Sequence, residues 1–263
     1  MKAIILAAGK GNRLDPIRGD NPKCLLEING VSLISRQIRV LRALGIHDIT
    51  AVVGFGADRV RAQCGPELTY IENRRHAETN SLYSLWLTRH LLADGFLVLN
   101  ADVLFHSQML VDLISAPYKD AVLVSYQPGT LMGDEEMKVK VREGVIVEMS
   151  KEMNAIEADG ENVGIVKFGA SGANLLIQLM NVLVRHGNRK AWAPEAFSAF
   201  ARTRKLHAIS TQDYPWIEID FPEDYATAVN QIFPAITAID KHFLSVAPVR
   251  DKIAIVPRSL STP

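Results

Sequence analysis

The chain is predicted to be an α/β protein: a mostly parallel mixed sheet with helices on both faces and a small antiparallel insertion. Short apolar runs rich in Val, Ile and Leu alternate with segments of helical period, as in a sheet covered on both sides. Near residues 137–149 the pattern changes to strict alternation around a turn, which is the mark of an antiparallel hairpin. At 263 residues and 48% hydrophobic content, the chain can bury a sizeable core. One Rossmann-like domain over 1–235, followed by a partly ordered tail over 236–263, accounts for its length.

Strands are expected near 2–7, 48–53, 68–72, 96–100 and 121–126. A first helix over 31–44 aligns Ile34, Ile38 and Leu41 on one face, with Gly45 beyond its last turn as a cap. Its other face carries Arg36, Arg39 and Arg42, a stripe read as solvated surface. Met137–Val141 and Val145–Met149 flank Arg142-Glu143-Gly144 as the two arms of the hairpin. Helices follow at 172–186 and 194–203, then a strand-like Trp216–Ile219 and a helix opened by Pro222. Past about 235 the pattern weakens, and Ser259–Pro263 is expected to be disordered.

Twenty-nine basic and 29 acidic residues cancel, so no global field favours nucleic acid or an anionic membrane surface. No apolar run reaches the length of a signal peptide or a span, and a soluble, cytoplasmic protein is expected. Cys24 and Cys64 stand apart from any metal-binding spacing and read as reduced, packed thiols. The seven histidines show no zinc-ligand spacing, and Gly-x-Ser-x-Gly is absent. The oligomeric state is left open, a homodimer included.

The first strand runs directly into Ala7-Ala8-Gly9-Lys10-Gly11-Asn12-Arg13-Leu14. Consecutive unobstructed backbone N–H groups between two cations suit a triphosphate. A dinucleotide fingerprint would need glycine where Leu14 stands, and a Walker A loop would need Ser or Thr where Gly11 stands.

With Leu6 before that loop and Asn21-Pro22-Lys23-Cys24-Leu25-Leu26 after it, the sequence resembles the nucleotidyltransferases that make nucleotide sugars and CDP-alcohols. Asn12 departs from the family's usual Thr or Ser. The resemblance runs from residue 1 to about 230 and implies a nucleotide-diphospho-sugar transferase-like fold. It implies that Leu6, Ala7, Ala8, Gly9, Gly11 and Ala101 bind nucleotide, that Arg13 contacts the β- and γ-phosphates, and that Lys23 contacts the α-phosphate or the incoming phosphate. Fixed cations there oppose the charge gathered by in-line attack at phosphorus. The family's two Mg²⁺-holding aspartates fall on Asp102, at a strand's C-terminal end, and Asp220. The competing structural roles are a helix cap near Ser107 for Asp102 and closure of the turn before Pro222 for Asp220.

Thr79-Asn80-Ser81-Leu82-Tyr83-Ser84-Leu85 resembles the phosphocholine cytidylyltransferase branch, which implies CTP as donor and places Asn80 and Ser81 against the nucleotide. Plain N-capping is the other account of those two residues. A quaternary ammonium is held by cation–π contact, for which Tyr214, Trp216 and Trp192 are candidates, with Glu218 as a balancing charge. Glu161 and Lys151 are further acceptor candidates. The expected reaction joins CTP to a small phosphorylated alcohol, foremost phosphocholine, giving CDP-choline and pyrophosphate without a general base. The alternatives are a sugar-1-phosphate or inositol-phosphate nucleotidyltransferase using CTP or UTP, and a catalytically silent nucleotide-sensing domain.

Overall fold

The computed structural model describes residues 1–126 and 132–240. In chain order the elements begin β1 (Lys2–Ala7), α1 (Asp15–Arg18), β2 (Glu27–Ile28), β3 (Val31–Ser32), α2 (Leu33–Ala43), β4 (Ile49–Val53), α3 (Ala57–Cys64) and β5 (Thr69–Glu72). The middle of the chain forms α4 (Ser81–Leu87), β6 (Gly95–Asn100), β7 (Val103–Phe105), α5 (Ser107–Ser115), β8 (Ala121–Ser125), β9 (Lys138–Arg142) and β10 (Val145–Ser150). The remainder is β11 (Gly160–Gly169), α6 (Ala170–Arg185), α7 (Ala193–Ala201), β12 (His207–Ser210), β13 (Trp216–Glu218), α8 (Pro222–Thr227) and α9 (Phe233–Ile239).

The main sheet has nine strands in the order β5-β4-β1-β6-β11-β8-β12-β10-β9. Strands β5, β4, β1 and β6 are mutually parallel, and β8 pairs parallel with β12. Between these two groups β11 runs the opposite way, antiparallel to both β6 and β8. The expected hairpin is β9–β10; it closes the far edge and also touches β11. Alternate residues of β1 face opposite sides, so Ala3, Ile5 and Ala7 join the core beneath α2, α3 and α5, whereas Ile4 joins the core beneath α4, α6 and α7. A third cluster, including Leu14, Leu104, Ile219 and Ile236, ties the last helices to the segment after β1.

Strand β11 is the main element that the sequence pattern did not predict. It is buried on both faces, but Asp159-Gly160 reads as a turn and Lys167 interrupts its apolar run. The Lys167 ammonium is buried because it donates to the carbonyls of Leu113 (2.6 Å) and Ala116 (3.2 Å), at the end of α5. Of the arginine stripe on α2, Arg39 is exposed and the other two are engaged within the chain. Arg36 donates to the Ile28 carbonyl (3.1 Å) and Arg42 pairs with Glu67 (2.7 Å). Of the expected tail, α9 extends to Ile239; residues 241–263, including the segment expected to be disordered, lie outside the described residues.

Candidate active site

The parallel strands β1 and β6 deliver their C-terminal ends to one edge of the sheet, above which lies a cavity of about 360 Å³. Leu6 lines it from the end of β1, and Ala8, Gly9, Gly11 and Arg13 line it from the loop that follows. Gly11 has a φ of 74°, and a Cβ there would stand 2.8 Å from the Lys23 Cβ, so left-handed backbone and close approach both require glycine. A Cβ at Gly9 would meet nothing within 4 Å, which leaves that stretch of backbone open to the cavity.

Lys23 is the buried cation of the site. Its ammonium donates to Asp102 Oδ2 at 2.8 Å and to Asp220 Oδ1. Burial disfavours its charge, but the carboxylates of Asp102, Asp220 and Glu218 outweigh burial and raise its pKa above the ordinary lysine value. Asp102, Glu218 and Asp220 each place one oxygen within 4.8 Å of the others. Burial, reinforced by the neighbouring charges of Asp102 and Asp220, pushes Glu218 well above the usual carboxylate range. Asp220 is shifted the other way: Lys23 and Arg13 overcome its burial and hold its pKa low.

Capping does not explain either aspartate. His106 caps α5, its Nδ1 accepting from the Gln108 N–H at 3.1 Å, and Asp224 accepts from the N–H groups of Asp220 and Phe221 ahead of α8. Asp102 Oδ1 is buried with no hydrogen-bond partner, although a buried acceptor ordinarily has one. Three converging carboxylates, one with an unpartnered buried oxygen, make a donor set that suits a hard divalent cation.

Arg13 is half-exposed and lies over the Phe221 ring at 4.8 Å, with its guanidinium 3.1 Å from Glu135 and 4.0 Å from Asp220. One wall of the cavity carries Asn73, Thr79, Asn80, Ser81, Ser84 and Asn100. Asn80 Oδ1 accepts from the Ser81 N–H at 2.8 Å and so caps α4, while both residues also line the cavity. Buried Asn73 donates to Thr79 Oγ1 and Ser84 Oγ, each at 3.0 Å. Lys151 and Trp192 also line the cavity, the ammonium standing 4.8 Å over the indole and 3.2 Å from Glu135.

The remaining sequence candidates lie off the cavity lining. Ala7 packs into the core, and Ala101 serves through its backbone, donating to the Leu6 carbonyl at 3.2 Å. Glu161 sits on β11 beside the lining residue Asn162, and burial with the nearby Glu136 charge pushes its carboxyl up to about 7. Tyr214 stacks on His106 at 4.7 Å, and Trp216 pairs with Phe105 across β13–β7; both rings pack against the core on the α5 side. Thus only Trp192 of the three aromatic candidates reaches the cavity. Asn73, His76, Glu135 and Met137 line it without having been singled out. The position of Asn73 just past β5 is a signal that could have found it, since open α/β sheets bind ligands at strand C-termini.

A strand-end cavity with a glycine loop, a buried lysine and clustered carboxylates is the arrangement of a nucleotidyltransferase, and the comparisons agree. Residues 3–132 match the MobA-like NTP transferase domain. The chain is 37% identical over 121 residues to the choline-phosphate cytidylyltransferase of Streptococcus pneumoniae, covering 45% of this chain and 52% of that protein. It therefore spans about half the length of that relative. Identity to the CTP:phosphoglutamine cytidylyltransferase of Campylobacter jejuni is 25% over 260 residues, covering 88% of this chain and 100% of the relative. The solved inositol-1-phosphate CTP transferase from T. maritima superposes with a TM-score of 0.74 at 22% identity, over 90% of this chain and 96% of that one, and shares the fold.

Proposed function

We propose that the protein is a Mg²⁺-dependent cytidylyltransferase that transfers the cytidylyl group of CTP to a small phosphorylated alcohol, foremost phosphocholine, releasing pyrophosphate. The observation that carries this reading is Lys23, buried between Asp102 and Asp220 at the foot of the glycine loop. Asp102 and Asp220, with Glu218 beside them, are the residues that would hold the ion; bound there, it supplies charge neutralisation for phosphate oxygens. The loop N–H groups orient the triphosphate, Arg13 faces its outer phosphates, and Lys23 balances charge near the phosphorus that is attacked. An ionised acceptor phosphate is already a nucleophile, so the chain supplies position and counter-charge.

One observation favours a second acceptor class. Lys151 already covers the face of Trp192, and Tyr214 and Trp216 lie away from the cavity. That arrangement suits an acceptor bearing a primary amine or a carboxylate better than one with three N-methyl groups. Pyrophosphate release should be measured with Mg²⁺ and CTP or UTP against phosphocholine, phosphoethanolamine, an aminophosphonate, a phosphorylated amino acid, a sugar 1-phosphate and inositol phosphate. Turnover with CTP and phosphocholine supports the first reading. Turnover confined to the amino-acid, primary-amine or aminophosphonate acceptors selects the second, and turnover only with a sugar or inositol phosphate defeats both.

A further inference from the structure

We propose that Arg18, outside the cavity lining, is a positioning residue that locks the glycine loop and the Lys23 segment into one rigid unit. This rests on the reading of the cavity as a nucleotide site. Arg18 is 5% exposed, and its guanidinium spends donors in three directions. Nε donates to the Gly11 carbonyl at 3.0 Å, Nη1 to the Asn21 carbonyl at 2.8 Å, and Nη2 to Asp15 Oδ1. Asp15 balances the buried charge, as a cation removed from water requires. The two carbonyls belong to the two segments that present charge to the cavity: the loop carrying Arg13, and the turn leading through Pro22 into Lys23.

Phe55, in the loop after β4, supports the same joint from below. Its ring lies 5.2 Å from the Arg18 guanidinium, and its N–H donates to the Ala8 carbonyl at 3.1 Å. The glycines on either side let the backbones close up: a Cβ at Gly54 would stand 2.7 Å from the Ala8 oxygen, and one at Gly56 2.6 Å from the Pro22 ring. Arg59 adds a further tie by donating to the Asp20 carbonyl at 2.6 Å.

A planar, multi-donor fork is what this geometry uses. A lysine retains the charge but cannot span both carbonyls and stack on Phe55 at the same time. With Arg18 absent, the Gly11 carbonyl keeps only its bond from the Leu14 N–H, at 3.0 Å. The left-handed Gly11 peptide is then free to turn, and the N–H groups of Asn12 and Arg13 lose their common aim.

The test compares the intact protein with Arg18→Lys and Phe55→Leu. Amide hydrogen exchange over residues 9–14 and 21–24 is measured without ligand, CTP with Mg²⁺ is titrated by calorimetry, and steady-state constants are determined. Arg18→Lys is expected to speed exchange in both segments and to weaken CTP at least about tenfold, the scale of losing one charge-assisted hydrogen bond, while the acceptor KM moves less than about twofold. Phe55→Leu is expected to do the same to a smaller degree, and it carries the test should Arg18→Lys fail to fold. Unchanged exchange, or faster exchange with CTP affinity intact, overturns the positioning role while leaving the nucleotide reading in place. Failure of the unaltered protein to bind any nucleoside triphosphate defeats that reading and, with it, the role of Arg18.

Discussion

Lys23 and Asp102 were both legible in the sequence, because each sits at a marked place: one in Pro22-Lys23 behind a glycine loop, the other just past a strand rich in Val and Leu. Asp102→Ala is expected to cut Mg²⁺-dependent pyrophosphate release by about 100-fold or more, the scale of losing a preorganised charge contact. Equal release from both proteins would dismiss its assignment. The aromatic candidates were not legible in the same way. The sequence shows that Tyr214 and Trp216 are neighbours, but Trp216 is directed by the pairing of β13 with β7 and Tyr214 stacks on His106, contacts that no local pattern encodes. Glu161 permits a prediction about pH. Its folded carboxyl keeps its proton up to about pH 7, whereas the unfolded one ionises near the ordinary value. Between those values the folded state holds the extra proton, so the Glu161 contribution to stability is full at low pH and is lost as pH rises towards 7. Denaturant melts from pH 4 to 8 should therefore show a decline that Glu161→Gln flattens, and parallel profiles would contradict the shift.

Among elements, α2 follows its sequence closely: Ile34, Ile38 and Leu41 enter the core, Ser32 Oγ accepts from the Ser35 N–H at 3.3 Å, and Gly45 takes a φ of 78° beyond the last turn. Ser32→Ala is expected to lower stability by about 1 kcal/mol, as for other N-caps, with unaltered turnover in the same preparation. The loop after β1 permits a sharper test. Gly11→Ala combines unfavourable left-handed backbone, costing about 1 kcal/mol, with a contact against Lys23, so CTP affinity measured by calorimetry should fall more than stability does. Strand β11 marks the limit of such reading. Strands buried on both faces show as apolar runs, but the run of β11 is broken by Glu161, Asn162, Gly164 and Lys167, whose ammonium finds partners 51–54 residues earlier in the chain. Glu161, read from the sequence as an acceptor candidate just after a turn signal, stands with Asn162 on a central strand.

For the molecule as a whole, β11 joins the parallel group β5-β4-β1-β6 to β8 and β12, and two cores cover the opposite faces of the same sheet. A single cooperative unfolding transition is expected in calorimetry, and CTP with Mg²⁺ at about 100 times Kd should add about 2.7 kcal/mol to stability. Two resolved transitions would contradict this coupling. No helix among the described residues is long and apolar enough to cross a membrane. Because basic and acidic residues balance, no global field draws in a polyanion, and under the proposed metal-dependent reading Lys23 bears on how the cavity would tolerate loss of the ion. An ammonium already bridges Asp102 and Asp220, so these acids do not depend on a divalent ion to remain side by side. Chelator should therefore silence turnover yet leave the melting temperature where it was, and restoring magnesium should revive the enzyme at once, without a refolding lag.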